Sequence, residues 1–208
     1  MTLARTEKTA LRQEGLARRD ALPEGARASG AQAIAARLLA LPELAGPLLA
    51  ARVVAGYWPL RSEVDVRPAL EALHARGASI VLPAVDDPTL VFRQWTPGAP
   101  LARGSFGVRA PGADAPVLDP DVLLVPLARF DRACHRIGYG KGHYDRALAA
   151  LEERGPVLAI GIAFSVQEAA RIPAEDHDRR LDIVVTEAQT VRAPVAMDTV
   201  TATSAREG

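Results

Sequence analysis

Cysteine is almost absent from the sequence: Cys134 is the only one in 208 residues. That excludes an intrachain disulfide framework and any zinc site built on cysteines, and nothing around Cys134 marks it as an activated nucleophile. Long apolar runs are missing too. The longest, residues 157–164, falls far short of the roughly 20 residues that cross a bilayer, and the polar N-terminus has no signal-peptide pattern. A cytoplasmic protein with no membrane partner is expected. Net charge is zero, with 25 basic and 25 acidic residues and no long block of one sign, so no nucleic-acid partner is expected either. Lysine is the scarcest charged residue, with only Lys8 and Lys141 against 23 arginines. Where arginine is the default cation, a lysine marks a position suited to a compact point charge. The expectation is that Lys8 and Lys141 converge on one anion.

What is present suffices for one domain with a sizeable core, at 22.1 kDa and 49% hydrophobic residues. The expected layout is a single domain over residues 1–191 and a polar tail over 192–208, in a monomer. Residues 6–22 read as a basic, weakly amphipathic helix, and Ala31, Ile34, Ala35 and Leu38 repeat at the spacing of a second, buried one. Residues 52–58 are β-branched and aromatic and stop at Pro59, as a strand would. Val66, Ala69, Leu70 and Leu73 form a helical stripe, and residues 79–85 read as the next strand. Such a β-α-β unit makes the two strands parallel. A turn at Asp86-Asp87-Pro88 returns residues 90–95 as an antiparallel neighbour. Residues 96–116, rich in Pro and Gly, read as a long functional or disordered loop. Further strands are expected over 121–130, 157–163 and 182–187, with a helix on Tyr144, Leu148 and Leu151 between the first two. The fold class is α/β, with a central, mostly parallel sheet.

Between the strand at 121–130 and that helix stands RIGYGKGHYDR, residues 136–146. In an open α/β sheet, ligands bind beyond the carboxyl ends of strands, where loops lead into helix N-termini. Glycines that admit close backbone approach, with the charge of Lys141, make an anion site there. It is not a P-loop, because position 135 is His and 142 is Gly, and Gly138, Gly140 and Gly142 give G-x-G-x-G where a dinucleotide fingerprint needs G-x-G-x-x-G. By spacing alone, a turn with a solvated lysine and a phosphate site remain equal alternatives. Lys8 and Arg12, four apart on the first helix, share a face that fits a phosphate site or plain solvation. Asp145 suits a helix's first turn or a magnesium ion. Asp182 is a metal ligand or a partner of Arg179 or Arg180, and Glu63 reads a polar ligand edge or starts a helix. His135, His143 and His177 lack a metal-helix spacing.

Together these motifs resemble the 5-formyltetrahydrofolate cyclo-ligase (methenyltetrahydrofolate synthetase) family. The likeness is carried by VPLARFDRACHRIGYGKGHYDRAL at 125–148, KTALR near the N-terminus, YWPLRSEVDV at 57–66, FGVRAP at 106–111 and IPAEDHDRRLDIVVTE at 172–187, in the family's order. The resemblance implies a layered α/β sandwich like those of sugar-phosphate isomerases and CoA transferases. It implies ATP- and Mg²⁺-dependent cyclisation of 5-formyltetrahydrofolate to 5,10-methenyltetrahydrofolate, through phosphorylation of the formyl oxygen and attack by N10. Carried over by resemblance, ATP is bound by Lys8, Arg12, Arg136, Gly138, Tyr139, Gly140, Lys141, Gly142, His143 and Tyr144. The reduced folate meets Trp58, Glu63 and residues 139–143, Lys141 and Arg136 are catalytic, and Asp145 and Asp182 hold Mg²⁺. Three departures stand out: His143 where the family has Tyr or Phe, Val66 after Glu-Val-Asp in place of Thr, and Arg109-Ala110 in place of an acidic residue before Pro111. Alternatives are a paralogue acting on another formamide, a non-catalytic nucleotide-binding module, and a sugar-phosphate isomerase-like enzyme.

Overall fold

A computed structural model describes residues 3–104, 107–175 and 178–194. His177, Phe106 and the tail beyond 194 lie outside the described residues. Two helices open the chain, α1 (Leu3–Asp20) and α2 (Glu24–Leu39). β1 (Val53–Ala55), α3 (Arg67–Ala75) and β2 (Ser79–Asp86) follow as the expected β-α-β unit, and β3 (Thr89–Gln94) returns antiparallel to β2. Then come β4 (Ala102–Arg103), β5 (Arg109–Ala110), β6 (Val122–Pro126), β7 (Arg129–Phe130), β8 (Arg136–Ile137), α4 (His143–Glu152), β9 (Leu158–Ile162), β10 (Ile183–Val185) and β11 (Thr190–Arg192).

Seven strands form the central sheet in the order β11-β10-β9-β6-β1-β2-β3, the inner five parallel and the two edges antiparallel. Inner strands covered on both faces need apolar side chains in both directions. Period-two alternation sorts them: Val122, Leu124, Ile160, Ile183 and Val185 join Ile34, Leu38, Leu70 and Leu73 from α2 and α3. Leu123, Val125, Ala159 and Val184 face the opposite layer with Ala147, Leu148 and Leu151 from α4. α1 lies off the sheet, where Leu11 packs on Ile137, Ala169 and Ile172.

Several expected boundaries move. The 52–58 strand shortens to three residues, because after Gly56, whose N–H still bonds Val81, the chain leaves the sheet towards Pro59. The strand at 121–130 splits at Pro126, beyond which β7 and β8 make a separate antiparallel hairpin. The loop at 96–116 carries the short β4–β5 pair. β11 was not expected; it lies against β10, and Arg192, placed in the tail by sequence, is its last residue.

Buried at a fold contact, Cys134 has its thiol pushed up to about 11 by desolvation. Since the thiolate is the reactive form, a thiol reagent such as DTNB should leave the native protein unlabelled at pH 8 and label one thiol per chain after unfolding. Fast native labelling would contradict the burial.

Candidate active site

The strand order has one reversal. From β1 the chain crosses to β2 on one side, whereas β6 lies on the other and leads on to β9 and β10. β1 and β6 are adjacent and parallel, so their following loops leave the same edge at the sheet's topological switch point, where ligands of open α/β sheets bind. The first loop carries Glu63. The second carries the β7–β8 hairpin and the glycine loop.

These two loops meet. Tyr139 Oη donates to Glu63 Oε1 at 2.5 Å, and the Leu60 N–H donates to Glu63 Oε2 at 2.8 Å. Glu63 is buried, and burial raises its carboxyl pKa against the pull of those two hydrogen bonds and of Arg19. Arg19 reaches in from α1, its Nε donating to Ser62 Oγ at 3.0 Å and its Nη1 to Tyr139 Oη at 3.1 Å. The Tyr144 phenol lies in the same field: burial raises its pKa, Glu63 raises it further and Arg136 opposes.

Arg12 closes the glycine loop from the α1 side. Its Nε donates to Gly138 O at 2.7 Å, and desolvation there lowers its pKa. At Gly140 the backbone has φ +89°, and a Cβ would stand 3.2 Å from the Arg12 guanidinium. Only glycine takes that conformation without strain, so the loop's sequence and the Arg12 contact are matched. On the far side Arg146 donates to Lys141 O at 2.8 Å and to Pro88 O at 2.7 Å, tying the loop to the β2–β3 turn. Lys141 itself is exposed.

Arg136 is a buried tie. Its Nη2 donates to Asp145 Oδ1 at 2.9 Å and its Nη1 to the Arg179 carbonyl. The Arg179 N–H donates to Asp145 Oδ1 at 3.2 Å. Asp182, three residues on, stands at the start of β10, where its Oδ2 accepts the Ala159 N–H at 2.8 Å. One short segment therefore carries or touches both carboxylates expected to hold Mg²⁺, and no hydrogen bond joins the two among the described residues. Each keeps one oxygen outside these bonds, which fits a cation that takes one or two carboxylates beside nucleotide phosphates.

Three expectations are met differently. Lys8 is not a bare ammonium: it holds Glu175 at 2.6 Å and Asp178 at 2.5 Å. Desolvation lowers its pKa, but the two carboxylates outweigh that and the net shift is upward. Arg12 and Arg19 are the α1 cations with hydrogen bonds to the glycine loop, at Gly138 O and Tyr139 Oη. The His143 imidazole lies 3.4 Å from Asp87 on the β2–β3 turn, an orientation set by its place at the start of α4. Trp58 stands edge-on to Trp95 at 6.0 Å under the Arg67 guanidinium, lining a cleft of about 450 Å³ with Asp65, Glu71 and Ala99 that neither Glu63 nor the glycine loop enters. Arg19 went unread by sequence. It lies seven residues, two helical turns, beyond Arg12 on the same stripe, a spacing that a basic helix face hides among solvated charges.

A family model described as the 5-formyltetrahydrofolate cyclo-ligase family matches residues 4–187. The chain belongs to the 5-formyltetrahydrofolate cyclo-ligase family. It is thereby an enzyme of that family. Among curated relatives, a 5-formyltetrahydrofolate cyclo-ligase of Escherichia coli K12 is 30% identical over 65% of this chain and 78% of its own length. One from Haemophilus influenzae is 28% identical over 65% and 76%. The NMR structure of Aquifex aeolicus 5,10-methenyltetrahydrofolate synthetase superposes with a TM-score of 0.78 at 28% identity, over 96% of this chain and 99% of that one. A Mycoplasma pneumoniae 5,10-methenyltetrahydrofolate synthetase gives 0.68 at 26%, over 86% and 98%. The expected family and the mostly parallel α/β sheet are both borne out. No helix among the described residues is long and apolar enough to cross a membrane.

Proposed function

We propose that the protein cyclises 5-formyltetrahydrofolate to 5,10-methenyltetrahydrofolate with ATP and Mg²⁺, releasing ADP and phosphate. The Glu63–Tyr139 bond carries this reading, because it joins a buried carboxylate to the glycine loop at the switch point of a sheet belonging to this family.

Glu63 binds the polar edge of the pterin, with Tyr139 beside it. The glycine loop, closed by Arg12, takes the nucleotide, and Lys8 meets its phosphates by exchanging its bonds to Glu175 and Asp178. The formyl oxygen attacks the γ-phosphorus and the bond to ADP breaks. N10 then attacks the formyl carbon, loses its proton, and phosphate departs with the former formyl oxygen. An amide-like oxygen is a poor leaving group until phosphorylated, so catalysis is mainly placement and charge neutralisation. Lys141 stabilises the transferred phosphoryl group. Arg136 acts by holding Asp145, which with Asp182 would carry the Mg²⁺ that offsets phosphate charge.

The test mixes protein, 5-formyltetrahydrofolate, Mg²⁺ and ATP and follows the methenyl chromophore; no ATP-dependent signal at high enzyme concentration sinks the reading. Glu63→Gln should weaken 5-formyltetrahydrofolate binding by about 10–100-fold, the range for a hydrogen bond to a charged group. In the wild type, affinity should fall as pH drops through the Glu63 pKa, which burial raises from its ordinary value. Glu63→Gln should flatten that limb. Unchanged affinity in Glu63→Gln removes Glu63 from the pocket.

A further inference from the structure

We propose that Arg19 is a positioning residue for the folate subsite, holding Glu63 ionised and oriented through Tyr139 and Ser62. This rests on the reading of Glu63 as the folate-binding carboxylate.

Arg19 is only 2% exposed, although it lies on the last turn of a basic helix whose Arg18 is half in solvent. Burying a guanidinium is costly unless its donors are satisfied, and here two of them go to residues that flank or touch Glu63. Nε donates to Ser62 Oγ, and that hydroxyl donates in turn to Asp20 Oδ1. Nη1 donates to Tyr139 Oη. A phenol has one proton to give. With Arg19 donating onto the oxygen, that proton is directed to Glu63 Oε1, and the relay runs guanidinium, phenol, carboxylate in one polarity. Glu63 accepts at both oxygens, from Tyr139 and from the Leu60 N–H, and a nearby guanidinium favours the charged form of a carboxyl so placed.

Other groups around Glu63 do not supply this. Tyr57, Tyr144 and Tyr139 are phenols, each with its pKa raised chiefly by burial. Asp20 accepts from Ser62 Oγ and stands 4.0 Å from Arg19 Nε, pairing with the guanidinium rather than with Glu63, and Arg136 acts on Tyr144. Arg19 is the cation that acts directly on Glu63 among the described residues. Arg19 touches the glycine loop only through the Tyr139 phenol, while the loop backbone is held by Arg12 at Gly138 O and Arg146 at Lys141 O.

Binding of 5-formyltetrahydrofolate by fluorescence quenching from pH 5 to 8.5 tests this in wild type, Arg19→Met, Arg19→Lys, Glu63→Gln and the Arg19→Met/Glu63→Gln pair, with ADP binding measured alongside. Arg19→Met should weaken folate binding by about 10–100-fold and leave ADP within about twofold. Its acid limb should move up by about one pH unit, the direction expected when a carboxylate loses a nearby cation. In the Glu63→Gln background the same change should cost less than about threefold. Arg19→Lys, which keeps charge and bulk, should leave the acid limb near wild type while losing part of the affinity. Folate affinity unchanged in Arg19→Met, or an equal loss with and without Glu63, overturns the proposal and leaves Arg19 a purely structural group. Should Arg19→Met not fold, Arg19→Lys in the two backgrounds decides by the same comparison. An unchanged Glu63→Gln defeats the Glu63 reading itself, and the Arg19 proposal with it.

Discussion

Lys141→Ala is expected to lower turnover by about 10²–10³-fold, the usual loss when one donor to developing transition-state charge is removed, while 5-formyltetrahydrofolate affinity stays near wild type. Lys141 stands exposed in a loop whose neighbours are otherwise fixed: Gly138 and Gly140 against Arg12, and the Lys141 carbonyl by Arg146. Its backbone is held by others: Arg146 takes the Lys141 carbonyl and Arg12 the Gly138 carbonyl. An interaction that strengthens only as phosphoryl transfer proceeds contributes to turnover more than to ground-state binding. Initial rates of methenyl formation at saturating substrates, set against direct folate binding, separate the two. Equal losses in both would place Lys141 in the folate pocket instead. Lys141→Arg should recover only part of the rate, because a planar fork does not occupy the position of a compact ammonium.

Gly15→Ala should lower the melting temperature by about 4–8 °C, from a net loss of about 2 kcal/mol. Alanine normally improves a helix over glycine by about 1 kcal/mol. Here a Cβ would stand 2.2 Å from Ala128 O and 2.5 Å from the Arg129 side chain. The Arg129 stem can shift, but the carbonyl cannot: Ala128 is tied by its own N–H to Ile137 O, and its carbonyl accepts from buried Gln167. The clash therefore outweighs the helix preference, and α1 must lift. Since α1 carries Lys8, Arg12 and Arg19, activity should fall below what the loss of folded protein explains. Gly25→Ala in α2, with nothing within 4 Å of the added Cβ, is the control and should stabilise by up to about 1 kcal/mol. A Gly15→Ala melting temperature at or above wild type would refute the close approach.

Where burial on both faces writes itself as an apolar run, the fold was legible. β6 and β9 were visible for that reason, and α3 by its stripe of Ala69, Leu70 and Leu73. β7, β8 and β11 were not, because strands of two or three residues carry too few side chains for a period and owe their pairing to what lies beside them. The site divides in the same way. Type and spacing drew attention to the glycines, Lys141 and Glu63 but left each with two readings, and the family resemblance chose between them. Which cation serves which partner was not legible, since Lys8 finding Glu175 and Asp178, and Arg19 finding Tyr139, depend on a helix packing over a distant hairpin.

The pairing of β1 with β6 also bears on how the protein acquires its activity. Val54 lies beside Val122, about seventy positions later in the chain, and such distant contacts are slow to form. Glu63 and Tyr139 meet only once that closure is complete, so partly folded chains hold the sequence of the site without the site. Ligands selecting the closed sheet would add stability by mass action, about 2.7 kcal/mol at a hundredfold excess over Kd. Under the proposed function, bound folate and ATP would thus also protect the protein against unfolding.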